Sequence, residues 1–433
     1  MIKKQLFLKS LFILSLCTAY VSCKNLPKTD ENGFIVGRSS SAPTIDRKEI
    51  IKSDKKKQSD LDLPFRGFNY EKKITKIATG SCADQDLPQP IWKSIDKNNP
   101  DLFIFSGDTV YASKSSQKPL AAQFRKLNKI SEYRNFREKV PFMVVWDDHD
   151  FGVNDGGSDN PDKEAYRAEF VKYWSYLNLA IPKDQKALYH AKIFGPKKQK
   201  VQVIMLDTRW DRSPLKKIPE APQATVATPI KTDASTKPDA EKADVAKPIV
   251  ETTPGTVTDV PVIAAEKIPV TATRLYEPDE DKSKHFLSEA QWSWLESELK
   301  KPAELRLLVS SIQVIPNDHG FEKWGNFPKE RERLFRLLAK TKAKNTVILS
   351  GDRHMSSIAK MDIKGLGTVF ELTSSGLNKE SRPGSLLTDS TYSQEAYGPV
   401  NFGLLKINWE TRKVTLEVHS LDDQVKNTAD AWF

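Results

Sequence analysis

Short runs of buried-strand type recur along this chain with helical patterns between them, and that alternation restricts the fold more than any other feature. Lys76-Ile77-Ala78, Leu102 to Phe105, Phe142 to Trp146, Val201 to Leu206, Leu307 to Ser310 and Thr346 to Leu349 are apolar or β-branched runs suited to the inside of a sheet. Helical patterns cover Lys163 to Leu177, Ser288 to Leu299 and Lys329 to Lys340, with Ser288 placed to cap the second. Strands alternating with helices give α/β architecture. In such sheets reactive groups collect in the loops beyond the carboxyl ends of the strands.

Two stretches lack this pattern. No aromatic residue lies between Trp210 and Tyr276, and the block from Arg212 to Lys284 is rich in Ala, Pro, Thr, Lys and Val. Such a block cannot build a core, so 212–284 reads as a disordered insertion. Residues 23–64 are polar and lysine-rich without a sustained period, which fits a tether. The expected organisation is a leader (1–22), the tether, and one catalytic domain made of 65–211 and 285–433.

The leader is legible from its charge pattern. Lys3 and Lys4 precede an apolar stretch from Leu6 to Val21, followed by Ser22-Cys23. That is a secretory signal, too short for a comfortable membrane-spanning helix. Val21-Ser22-Cys23 resembles a bacterial lipobox, with Tyr20 where leucine is usual. Cys23 would then be lipidated and would anchor an exported bacterial lipoprotein to a membrane of the cell envelope, in the periplasm or at the cell surface. Of the three cysteines, Cys17 lies in the signal and Cys23 is taken by lipid, which leaves Cys82 with no disulfide partner. Metal ligation is one use for such a thiol. A formal charge of +10 favours anionic partners. Much of the lysine, such as Lys52 to Lys57, belongs to solvated tails, so no dedicated nucleic-acid partner is expected.

Five strand-end loops hold most of the reactive residue types: Gly80-Ser81-Cys82-Ala83-Asp84, Gly107-Asp108-Thr109-Val110-Tyr111, Asp147-Asp148-His149-Asp150, Leu206-Asp207-Thr208-Arg209 and Gly351-Asp352-Arg353-His354. Any one of them is weak, because Gly-Asp pairs are common turn elements. In this order, from about Ile74 to about Asp423, they resemble the alkaline phosphatase D-like branch of the calcineurin-type metallophosphatases. Glu371 to Gly376, Trp324 before Glu330-Arg331, and Asn401-Phe402-Gly403 are less specific support. The chain departs from the wider superfamily as that branch does: Cys82 stands in the first loop, Asp148 replaces an asparagine, and Asp352 replaces a histidine. Motifs on both sides of the insertion place it within one domain. The resemblance implies a four-layer α/β/β/α sandwich, a multinuclear metal site and phosphate-ester substrates.

On their own chemistry, a thiolate from Cys82, a carboxylate from Asp108 and a phenolate from Tyr111 suit a Lewis-acidic ion such as ferric iron, with zinc as the runner-up. A second, divalent ion fits between Asp108 and Asp148, with Asp352 and His354 completing the site. Oxygen-rich ligation would permit calcium there. The resemblance gives His149 a place near the leaving-group oxygen, as a general acid oriented by Asp147 or Asp150. Arg209 is the candidate for gripping a phosphate oxygen, with an ion pair to Asp207 as the competing role. Asn154 is a weaker substrate contact. His190, His285, His319 and His419 default to packing or surface roles, and His319 is the one placed to line the cleft.

These readings converge on hydrolysis of phosphate mono- or diesters by a metal-activated water. A phospholipase or nuclease on the same metal core is the enzymatic alternative. A non-catalytic, polyanion-binding surface lipoprotein would require missing ligands, and none of the expected ligands is missing.

Overall fold

The structure, a computed structural model, describes residues 65–112, 119–219, 275–381 and 388–433. The leader, the lipidation residue Cys23, the tether and most of the insertion lie outside the described residues. Among the described residues no helix is long and apolar enough to cross a membrane.

The strands are β1 (Lys76–Gly80), β2 (Leu102–Ser106), β3 (Phe142–Val145), β4 (His190–Phe194), β5 (Val201–Met205), β6 (Leu305–Val309), β7 (Thr346–Ser350), β8 (Ser356–Ile363), β9 (Gly367–Ser374), β10 (Asn401–Asn408), β11 (Lys413–Ser420) and β12 (Val425–Trp432). They form two six-stranded sheets, ordered β12-β11-β10-β1-β2-β3 and β4-β5-β6-β7-β9-β8. β1, β2 and β3 run parallel, as do β5, β6, β7 and β9. Antiparallel strands complete each sheet, with β10 against β1, β4 against β5 and β8 against β9.

Side-chain alternation along the second sheet produces the layering. Val203, Met205, Leu307, Val309, Val347 and Leu349 join Leu404 and Leu416 of the first sheet in one core. Their neighbours Ile204, Leu206, Leu308 and Ile348 belong to a second core with Trp292 and Leu295 of the helix Glu289–Leu299 and Leu334 and Leu338 of the helix Pro328–Lys340. Because successive residues of a strand face opposite ways, a strand apolar at every position is covered on both faces. The first sheet is covered likewise. Trp92 of the helix Ile91–Lys97 stacks on Phe136 of the helix Ser131–Lys139 at 5.6 Å and meets Phe103 edge-on at 5.2 Å. Helix, sheet, sheet and helix make the expected four-layer α/β/β/α sandwich.

Local differences from the sequence reading have local causes. The Ser288 hydroxyl accepts from Gln291 N and caps its helix as expected. The helix from Lys163 stops at Tyr173 and not at Leu177: Trp174 leaves helical geometry, and its ring stacks on Phe142 at 6.0 Å. The insertion is also shorter than its composition suggests. Arg212 and Ser213 are buried, and Lys217 pairs with Tyr276 in an antiparallel bridge. The backbone N–H groups of Leu275 and Tyr276 both donate to Gly320 O. The described fold thus runs past the expected boundary at Arg212 to Pro219, and resumes at Leu275, well before Lys284.

Candidate metal centre

The loops after β1, β2, β3, β5, β6 and β7 converge at the carboxyl ends of the parallel strands. The approach at Gly351 is so close that a Cβ there would lie 2.5 Å from Ser81 Oγ and 3.0 Å from both Ser106 O and Ser311 O. At Gly107 the backbone is left-handed (φ 107°), and a Cβ would meet that of Asp147 at 2.4 Å. Only glycine fits either position. Five residues of these loops carry backbone strain: Cys82, Asp108, Asp155, Asp352 and His354 all have positive φ, between 50° and 70°. For residues with a Cβ such conformations cost energy and cluster where surrounding structure enforces a functional arrangement.

Four sets of side chains in this cluster bring ligand atoms within 4.8 Å of one another: Cys82, Asp108 and His354; Asp108, Asp148 and His149; Asp147, Asp148 and Asp352; and Asp148, Asp155 and Glu322. Asp108 and Asp148 recur between sets, as carboxylates that bridge adjacent cations do. Cys82 Sγ lies 3.5 Å from Asp108 Oδ2, and the Tyr111 hydroxyl lies 3.1 Å from His354 Nε2. The His149 ring packs on the Tyr111 ring at 4.1 Å, and its backbone N–H donates to Asp108 Oδ1 at 3.2 Å. All the expected ligands, Cys82, Asp108, Tyr111, Asp148, Asp352 and His354, are therefore together, with His149 beside them.

The electrostatics require compensation. Burial, together with neighbouring carboxylates, pushes Cys82, Asp108 and Asp352 well above their ordinary ranges, and burial with the nearby Cys82 and Asp108 does the same to Tyr111. Burial also raises Asp147 to about 8 and Asp155 to about 7. At Asp148 burial is outweighed by the charges of His149 and Arg209 and by the Asp155 N–H, which hold it at about 2. Burial depresses His149. Acids crowded together in a buried cluster ionise together only when cations share it, and thiolate, phenolate, imidazole and carboxylate donors are the types that bind such cations. The residues fit a metal centre.

Several assigned roles change. Arg209 is fully buried, with Nη2 2.6 Å from Asp147 Oδ1 and 2.5 Å from Glu322 Oε1. Its guanidinium is committed to those two carboxylates, and Asp207 receives only its backbone N–H. The Asp207 carboxylate instead ties together Trp146 Nε1 and the N–H groups of Leu188 and Trp210. Neither expected orienter contacts the His149 ring: Asp147 receives Arg209 and Ser311, and Asp150 receives Thr109 Oγ1 with the N–H groups of Thr109, Val110 and Asp147. Asp150 thus clamps the Asp108 loop. Asn154 is exposed in the turn before Asp155.

Of the supporting segments, Glu371 accepts from Val314 N, Ile315 N and Ser350 Oγ, while Arg331 Nε donates to Val314 O. Both are braces. His190 is buried against Tyr176 and Leu188 O, and His419 lies between Glu417 and Asp423.

Asp155, Glu322 and Arg212 were not singled out by sequence. Asp155 N donates to Asp148 Oδ2 at 2.8 Å, and Glu322 receives both Arg209 and Arg212. None of these residues sits in a recognisable motif. Glu322 shortly precedes the noted Trp324, the one weak signal, and Arg212 was masked by its position at the edge of the low-complexity block.

A two-sheet sandwich with carboxylates, a thiol and histidines gathered at its strand ends defines a metallophosphatase-type hydrolase. The family model of the PhoD-like phosphatases matches residues 77–417, and the chain belongs to that family. A solved structure of PhoD is 14% identical, with a TM-score of 0.53, over 85% of this chain and 70% of that one. A dimetal phosphatase from Danio rerio is 11% identical, with a TM-score of 0.43, over 83% of this chain and 99% of its own. At such identity the likeness to PhoD concerns the fold. No curated protein matches the chain significantly in sequence.

Proposed function

We propose that the protein hydrolyses phosphate mono- or diesters in the bacterial cell envelope, held there by lipid on Cys23. The observation that carries the catalytic reading is the sharing of Asp108 and Asp148 between ligand sets, which would place cation sites next to one another. Cys82, Asp108, Tyr111 and His354 would hold ferric iron, because thiolate, phenolate and carboxylate donors stabilise a highly charged ion. Asp147, Asp148, Asp155 and Asp352 offer the oxygen-rich surroundings suited to calcium, and zinc is the competing ion. When bound, such cations neutralise phosphoryl oxygens and acidify the water that attacks phosphorus.

The remaining steps belong to side chains. His149, packed on Tyr111, delivers a proton to the departing oxygen. Asp150 holds the Thr109 and Val110 N–H groups and so fixes the direction of Asp108. Arg209 holds the Asp147 and Glu322 side chains in place. Lys379 Nζ lies 4.3 Å over the Tyr111 ring and 3.2 Å from Asp84, and brings a cation to the same rim. Envelope location is supported by the charged and apolar pattern of residues 3–23.

The test is a substrate panel on metal-loaded protein, with an alkyl monoester, a diester, a phospholipid and single-stranded DNA compared at equal concentration. Faster release from the mono- or diester is expected. Preference for the phospholipid or the DNA would move the protein to the phospholipase or nuclease alternative. Globomycin treatment of expressing cells should leave the leader uncleaved; normal processing under treatment would remove the lipid anchor from the account.

A further inference from the structure

With Arg209 committed to Asp147 and Glu322, no side chain assigned so far receives the phosphate oxygens. The described residues include five buried arginines, and four of them donate hydrogen bonds: Arg137 to Tyr133, Arg209 to Glu322, Arg212 to Asp155 O, and Arg306 to Asn345. Arg353 is the exception. Its side chain makes no hydrogen bond or ion pair among the described residues, and its Nε is buried without an acceptor. The guanidinium carbon sits 4.2 Å over the Phe321 ring. Asp352 and Asp155 of the centre, and Asp389 outside it, attract it from a longer range.

The position matters as much as the missing partner. Arg353 stands between Asp352 and His354, two residues of the metal centre, and Phe321 precedes Glu322, a third. His319 packs against the other end of the same loop, its ring 6.2 Å from Phe321. It is 3% exposed, and neither ring nitrogen has a partner. Lys323 Nζ donates to His319 O at 2.6 Å and to Phe321 O at 3.2 Å, which fixes the loop. Two buried polar side chains thus flank one aromatic ring with their hydrogen-bonding groups unused. Leaving such groups unpaired is costly, and a planar guanidinium matches a pair of phosphate oxygens.

We propose that Arg353, with His319 beside it, forms the oxyanion-binding subsite of this centre and receives phosphate oxygens of the substrate. The source of those oxygens is either the reacting phosphoryl group or a second phosphate in the same molecule. The inference rests on the phosphate-ester reading. It also explains why an arginine stands in a loop otherwise given over to ligands: packed over Phe321, the guanidinium has less rotamer freedom left to lose on binding.

Arg353→Met and Arg353→Lys test it in the metal-loaded enzyme. Kinetics are measured on an alkyl monophosphate and on an alkyl ester carrying a second phosphate, and inorganic phosphate binding is measured by calorimetry. If the reacting phosphoryl group is the source, Arg353→Met weakens phosphate binding and kcat/KM on both esters by roughly tenfold or more, and Arg353→Lys recovers part of it. If a second phosphate is the source, only the bisphosphorylated ester loses. Metal content and Tm stay at wild-type values in either case, because the side chain has no ion pair to lose. Unchanged kinetics and phosphate binding, or a fall in Tm that accounts for the loss, would overturn the subsite. Calorimetry separates this from the broader reading: a wild-type protein that binds phosphate through Arg353 yet hydrolyses no ester would sink the hydrolase and spare the subsite.

Discussion

The Tyr111 hydroxyl lies 3.1 Å from Nε2 of His354, joining the loop after β2 to the loop after β7 across 243 positions of chain. Cys82, Asp108 and His354 form one ligand set beside it. The Tyr111 hydroxyl thus reaches a member of that set, a contact that packing at a core edge does not explain.

If that set holds ferric iron, a bound phenolate gives the protein a visible absorption band. Tyr111→Phe should lose or strongly shift the band and lower the iron content, while the carboxylate-rich half of the site keeps its cation. Absorption spectra with elemental analysis check both parts. An unaltered band and full iron in the variant would return Tyr111 to a packing role.

The insertion offers a test of where the fold ends. Removing 222–272 keeps the Lys217 to Tyr276 bridge and takes away only a segment without aromatic residues, so turnover should stay within about twofold of wild type and Tm should change little. Removing 214–282 takes the bridge as well, together with Tyr276, whose hydroxyl donates to Asp155 Oδ2 at 2.5 Å. That longer deletion should weaken metal retention. Equal behaviour of the two deletions would show that the bridge contributes nothing.

The sequence made the scaffold legible because buried parallel strands read as continuous apolar runs, and because Asp108, Asp148, Asp352 and His354 each follow such a run by a few residues. The partners of those residues were not legible. Arg209 was read as a substrate grip, with Asp207 two residues away as its competing partner; the carboxylates that hold it, Asp147 and Glu322, come from loops after β3 and β6. Ion-pair partners across a sandwich have no spacing in sequence. Arg212 was assigned to the insertion because composition was averaged over a window, and a fully buried arginine at the edge of a polar block looks like part of the block. Trp174, which ends its helix early, has no helix-breaking neighbour to announce it.

His149 is expected to act on the leaving group and not on the metals. His149→Ala should keep its metals yet lose roughly 10²-fold in rate on an alkyl ester, and much less on a nitrophenyl ester, whose leaving group departs without a proton. Equal losses on both esters, or loss of metal, would move His149 into the ligand shell or to phosphate binding.

The central claim is that Asp108 holds adjacent cations together and that hydrolysis depends on them. Metal stoichiometry and phosphate release from an alkyl monoester, measured in parallel on wild type and Asp108→Asn, test it most directly. The wild type should carry more than one metal ion and release phosphate. The variant, with a neutral amide at the shared position, should lose both the metals and the turnover. A variant that kept wild-type metal content and rate, or a fully metal-loaded wild type that released no phosphate, would contradict the account.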